Sequence, residues 1–143
     1  MSVKFFTEGV SSPKIKRRII SAWIKEVVSL ENKILGNINY VFCSDTYLLE
    51  VNRKYLNHDY FTDIITFDYV DNKSISGDIF ISIDRVAENS NKYNVSVSDE
   101  LKRVLVHGVL HLLGFKDKTA RQKNEMAKKE DEYLSLFKEK YLI

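Results

Sequence analysis

The chain is poor in the residues that would staple it, break it up or carry it into a membrane. Its one cysteine, Cys43, has no partner for an internal disulfide. The strand-like residues around it suggest a buried, reduced thiol, as expected in the cytoplasm. No apolar run approaches the roughly 18 residues needed to span a bilayer. The N-terminus also lacks the apolar core of a secretory signal, so no membrane association is expected. With one proline and five glycines there is no Gly/Ser linker, repeat or low-complexity tract, and residues 1–143 read as a single domain. The hydrophobic share of 44% is enough for an ordinary core at this length. A net charge of +2 is too small to announce a nucleic-acid partner. The densest basic group, Lys14, Lys16, Arg17 and Arg18, reads first as a solvated helix face and second as an RNA-backbone contact.

What is present is clear periodicity. Val3 to Phe6 reads as a short edge strand. Ile15, Ile19, Trp23, Val27 and Leu30 keep helical spacing, which predicts a helix lying on a sheet. Ser11 or Ser12 is its expected cap, with Pro13 in the first turn. A strand is expected over Ile38 to Cys43, then a helix from Ser44 and Asp45 to about Tyr55. The β-branched and aromatic block from Thr62 to Tyr69 reads as a strand, with a turn at 71–73 and a returning strand from Ser76 to Ile83. Residues 84–91 read as helix. Ser98 is the expected cap of a central helix with Asp99 and Glu100 in its first turn. Thr119 to Gln122 fits a capping box for a last helix reaching about Lys138, with Met126, Tyr133, Leu134 and Phe137 on its buried side. The expected fold class is α+β: a mixed sheet of about four strands with packed helices and a zincin-like central metal-binding helix.

That central helix carries the chemistry. It is apolar over most of its circumference, from Leu101 to Leu113, so it should be buried. Against this background Arg103, His107 and His111 form one i, i+4 row. Four residues span about 400° of helix, so both imidazoles leave one face a turn apart. Gly114 offers a helix stop, and Asp117 follows in the return loop. Two ligands on a rigid helix and a third from the loop make a three-ligand metal site: His107, His111 and Asp117. A metal-dependent hydrolase follows. Zinc proteases of the His-Glu-x-x-His type carry a general base directly after the first histidine. Here that position is Gly108, so peptide hydrolysis is not expected.

The segment His107-Gly108-Val109-Leu110-His111-Leu112-Leu113-Gly114-Phe115 closely resembles the signature of the YbeY family of bacterial metal-dependent endoribonucleases. That signature reads His-Gly-x-Leu-His-Leu-x-Gly-Tyr-Asp-His. Two upstream blocks are similar as well: Asn52, Tyr55, Asp59, Thr62, Asp63 and Phe67, and Gly77-Asp78-Ile79. The resemblance spans most of the chain. It implies a single-strand-specific endoribonuclease acting in late ribosomal RNA maturation, at the 16S 3′ end, and in ribosome quality control. It also implies one Zn²⁺ per chain, RNA of the small ribosomal subunit as partner, no DNA, and a cytoplasmic location. His107 and His111 are carried over as zinc ligands. The chain departs from the pattern where Lys116 takes the acidic position and Asp117 the place of the third histidine. It also has Leu56 where the family usually has an arginine after the tyrosine. His58, Arg103 or Lys118 is then a candidate for holding phosphate; a satisfied ion pair for Arg103 and plain surface roles for His58 and Lys118 are the alternative.

Two imidazoles and a carboxylate would leave zinc a fourth position for water, whose pKa the metal lowers toward roughly 7. The attacking group is either that hydroxide or the ribose 2′-OH. An anionic third ligand lowers the site's charge, so the water should be less acidic than in a three-histidine site, and harder metals such as Mn²⁺ better tolerated. Asp63 and Asp78 are candidates for carboxylates behind the histidines; turn chemistry and strand capping explain them nearly as well. Two other functions use the same metal: a zinc amidase or deaminase, and a non-catalytic ribosome-associated module with a structural metal. The latter would need a closing fourth ligand, for which Cys43 and His58 are the candidates.

Overall fold

The computed structural model describes residues 2–69 and 74–142. In chain order the elements are β1 (Ser2–Glu8), α1 (Arg17–Leu30), β2 (Ile34–Cys43), α2 (Asp45–Leu56), β3 (Ile64–Asp68), β4 (Ser74–Ser82), α3 (Ile83–Lys92), α4 (Val97–Leu112) and α5 (Ala120–Leu136). A π-helical turn, Phe137–Tyr141, extends α5. The expected turn at 71–73 lies outside the described residues.

The four strands form one mixed sheet in the order β1-β2-β4-β3. β1 pairs parallel to β2 and β2 parallel to β4, while β3 is antiparallel to β4 at the edge. Parallel neighbours need a crossover, and α1 supplies the first of them. The period of two divides the strands between two faces. Ile38, Tyr40, Phe42, Ile75, Ile79 and Ile81 join α1, α3, α4 and α5 in the main core. Cys43 and Ile65, with Phe67 and Phe80, pack instead against Leu48 and Val51 of α2.

The helix caps show where local signals were outweighed. Ser44 caps α2 as expected, accepting from Tyr47 N at 3.1 Å. The capping box of α5 also forms: Thr119 Oγ1 accepts from Gln122 N, and Gln122 Oε1 accepts from Thr119 N, both at 3.1 Å. The helix α1, however, begins at Arg17 with Lys16 at the N-cap and no side-chain cap. Ser12 instead accepts from the Arg17 guanidinium at 3.1 Å. Val10 and Ile15 pack on the main core, which holds the 10–16 segment outside the helix. The cap of α4 is Ser96, not Ser98; its hydroxyl accepts from Asp99 N at 3.0 Å. Asn94, left-handed at φ 56°, turns the chain sharply after α3 and leaves Ser96 extended. Strand β2 starts at Ile34, earlier than expected, because a bulge between Leu35 and Ile38 interrupts its alternation.

The helix α4 is fastened to the sheet at two levels. The Tyr40 hydroxyl donates to Leu105 O at 2.7 Å, both groups buried. One turn on, Gly108 lets the helix approach β4 and β3: a Cβ there would stand 2.8 Å from Ile79 Cγ2 and 3.0 Å from Ile64 Cδ1. Leu105 and Leu110 are fully buried, and each such side chain contributes about 1.5–3 kcal/mol of apolar transfer. The expectation that α4 is apolar over most of its girth is met. Lys102, Arg103, His107 and His111 interrupt the buried run from Leu101 to Leu112.

Candidate metal centre

The end of α4 builds the site. Gly114 N donates to His111 O and Phe115 N to Leu110 O, each at 3.0 Å, closing a Schellman cap on a glycine with φ 103°. The reversal brings Asp117 back over the helix. Its Oδ2 lies 3.4 Å from Nε2 of His107 and 3.4 Å from Nε2 of His111. The two Nε2 atoms are 3.0 Å apart.

Hydrogen bonds decide which ring nitrogens carry protons. His111 Nδ1 lies 3.0 Å from the Phe115 carbonyl, which has no proton to give, so the imidazole donates. His107 Nδ1 donates to Glu130 Oε2 at 2.6 Å. Each neutral ring then presents an Nε2 lone pair toward the other and toward Asp117. In the neutral forms that metal ligation requires, the two rings and the carboxylate are three converging acceptors, an arrangement that suits a cation. Tetrahedral zinc with bonds of about 2.0–2.1 Å would separate its ligand atoms by about 3.3–3.4 Å, close to the separations here. Among the described residues, His107, His111 and Asp117 are the only group of three or more His, Cys, Asp or Glu side chains that could hold a metal ion.

The electrostatics pull the two histidines apart. Burial disfavours the His107 cation, but the hydrogen bond and charge of Glu130 outweigh it and raise the pKa above the ordinary imidazole value. Burial and the neighbouring His107 lower that of His111. Burial raises the pKa of Asp63, and the field of His107 opposes that rise. Glu100, expected in the first turn of the helix, is 5% exposed there, and burial followed by Asp63 raises its pKa.

The remaining candidates fall elsewhere. Asp78 accepts from Asn39 Nδ2 at 3.0 Å and from the Tyr69 hydroxyl at 3.3 Å. It alternates with Gly77, whose missing Cβ faces Leu112 of α4, so Asp78 occupies the sheet face away from the histidines. Its candidacy as a carboxylate behind them is corrected on that ground. Arg103 is held in an ion pair with Glu130 at 2.8 Å and another with Asp131 at 2.9 Å, the satisfied alternative. His58 is exposed and shares a 3.0 Å hydrogen bond with the Tyr60 hydroxyl. Lys118 is exposed, its backbone N–H donating to Gln122. Cys43 is buried against α2, in the second core cluster. Glu130 was not among the residues expected on the buried side of the last helix. The available signal was its place four residues after Met126 and three before Tyr133, on the buried stripe of α5.

A buried helix crossing a mixed sheet and aiming two imidazoles and one carboxylate at a common point places the protein among α+β proteins with a helix-borne candidate metal centre. Comparison with known proteins narrows the class. The family model for Endoribonuclease YbeY matches residues 6–138. The chain is 45% identical over 137 residues to the Endoribonuclease YbeY of Porphyromonas gingivalis, covering 96% of this chain and 91% of that protein. It is 48% identical over 136 residues to that of Bacteroides thetaiotaomicron (95% and 99% covered) and 53% identical over 122 residues to that of Karelsulcia muelleri (85% and 86%). The solution structure of TM1509 from Thermotoga maritima superposes with a TM-score of 0.67 at 25% identity, over 96% of this chain and 90% of that one. The chain belongs to the YbeY family of endoribonucleases, hydrolases that act on RNA.

Proposed function

We propose that this protein cuts single-stranded RNA in late ribosomal RNA maturation, at the 3′ end of the small-subunit RNA, and takes part in ribosome quality control in the cytoplasm. Residues 1–143 act as one hydrolase domain, with one zinc ion held by His107, His111 and Asp117. The observation that carries the metal reading is the convergence of two Nε2 lone pairs and a carboxylate oxygen within 3.0–3.4 Å. Zinc in this site would supply Lewis-acid polarisation of a phosphoryl oxygen and of water. The chain's own part is to orient: the Phe115 carbonyl and Glu130 turn the imidazoles, and the Gly114 reversal sets Asp117. The carboxylate makes Mn²⁺ a workable substitute. No helix among the described residues is long and apolar enough to cross a membrane.

Labelled single-stranded RNA, duplex RNA, DNA and small amides, offered to metal-stripped protein reloaded with zinc or manganese, test this reading. The expected result is metal-dependent cleavage of single-stranded RNA alone, lost on His107→Ala or His111→Ala. Intact RNA with hydrolysed amides would favour the amidase or deaminase alternative. Tight zinc with no cleavage of any substrate would favour the structural-metal alternative. Precursor small-subunit particles trimmed at the RNA 3′ end would support the ribosomal assignment.

A further inference from the structure

Glu130 is 7% exposed, on a helix whose other charged side chains are mostly in solvent. Such burial is unfavourable for a carboxylate unless every lone pair facing the interior is met. Its two oxygens are divided between two donors on α4. Oε1 accepts from Arg103 Nη1 at 2.8 Å, and Oε2 from His107 Nδ1 at 2.6 Å. Arg103 is fixed in turn by Asp131 at 2.9 Å. Arg103 and His107 are one turn apart on the row that carries His111, so a single carboxylate spans two consecutive positions of that row. Because α5 follows directly on the loop bearing Asp117, the same helix pair contributes the third candidate ligand and the group behind the first.

We propose that Glu130 is a positioning residue for the metal centre: by accepting the His107 Nδ1 proton while Arg103 holds its other oxygen, it keeps His107 in the tautomer and rotation that present Nε2 to the metal. The inference rests on the reading of His107 as a metal ligand. Carboxylates that hydrogen-bond a ligating histidine fix its ring and its basicity. His111 is served differently, by a backbone carbonyl of its own helix cap, so a side-chain change can disturb only the His107 half of the pair. A glutamine at 130 would keep the shape but offer one oxygen and one NH₂ group to two donors. Either Arg103 or His107 would then face a donor.

Zinc affinity measured by competition with a chromophoric chelator tests the proposal, together with the imidazole ¹⁵N shifts of the metal-free protein. The expected loss of affinity is about tenfold for Glu130→Gln and about 10–100-fold for Glu130→Ala. Glu125→Gln, an exposed carboxylate of the same helix that pairs with Arg121 in solvent, should bind zinc as the parent does. The ¹⁵N shifts should report Nδ1–H for His107 in the parent and a tautomer mixture in Glu130→Gln, while His111 stays Nδ1–H in both. Unchanged zinc affinity and an unchanged His107 tautomer in Glu130→Gln would overturn the proposal, whether or not Glu130→Ala folds. Zinc affinity indifferent to His107→Ala would instead remove the metal-site reading itself. The two failures are thus distinguishable.

Discussion

Gly108 and Ile79 set the distance between the central helix and the sheet: a Cβ on Gly108 would lie 2.8 Å from Ile79 Cγ2, inside any real contact. Ile79 is fully buried and branched at Cβ, so that methyl has little room to swing away. Gly108→Ala gains about 1 kcal/mol of helix propensity but incurs about 1–3 kcal/mol of overpacking. A net destabilisation of up to about 2 kcal/mol is expected by denaturant unfolding, with weaker zinc binding because the histidine row moves with the helix. A stability gain in the alanine variant would show that the helix has room to lift.

Gly114→Ala is expected to lose both stability and metal. Its φ of 103° lies where an L side chain is strained, at a cost of about 1–3 kcal/mol. Relaxing that strain moves the Phe115 carbonyl away from His111 Nδ1. Gly9→Ala is the control, because Gly9 also has positive φ (68°) but lies on β1's exposed exit. Its stability should fall while zinc affinity holds. Equal zinc affinity in both variants would count against the cap as a support of the site.

Asp117→Ala should weaken zinc by at least about 100-fold, beyond the usual effect of losing an outer partner, with the helical circular dichroism unchanged. Asp117→His should restore zinc and raise its preference over Mn²⁺. It should also shift the acidic limb of the pH–rate profile downward, since the bound water loses an anionic neighbour. An unchanged or upward-shifted limb would count against the carboxylate as a ligand.

Glu31 makes acid stability a testable property. It follows α1 and accepts from the Tyr133 hydroxyl and from Lys129 Nζ on α5, the latter at 2.9 Å, with its side chain 16% exposed. Burial would raise its pKa, but Tyr133 and Lys129 together bring it below the ordinary carboxylate value. A lowered folded pKa means stabilisation present above the unfolded value and lost as pH falls through the folded one. Glu31→Gln should therefore be about 1–2 kcal/mol less stable at pH 7. The difference should close as pH falls from about 5 through the ordinary carboxylate value of about 4.3 and below it. A constant difference across that range would assign the loss to packing.

Much of the centre was legible because it is local. His107 and His111 share a face through helix geometry alone, and Gly114 and Asp117 follow within six residues on one reversal. The family resemblance rested on the same run, and the chain's membership in that family bears it out. Gly108, read from the sequence for the glutamate it replaces, is also the point where the sheet comes close to the helix. Ser96 in place of Ser98 as the cap of α4 shows the limit of such reading, since several nearby serines match one local pattern and the preceding turn chooses among them.

What the sequence determined by itself was therefore what a single helix and its exit turn can impose: the histidine spacing, the stop, the third carboxylate and the absence of a protease glutamate. The tertiary structure decided which distant groups stand behind them. Glu130 reaches His107 across 23 residues of chain because α5 folds back with that face inward. Asp78 is turned away from the histidines because the pairing of β3, β4 and β2 gives Gly77 and Ile79 the face under α4. Spacing along one helix is set by covalent geometry, whereas the rotation of α5 and the facing of β4 are set by how apolar stripes from separate segments pack together.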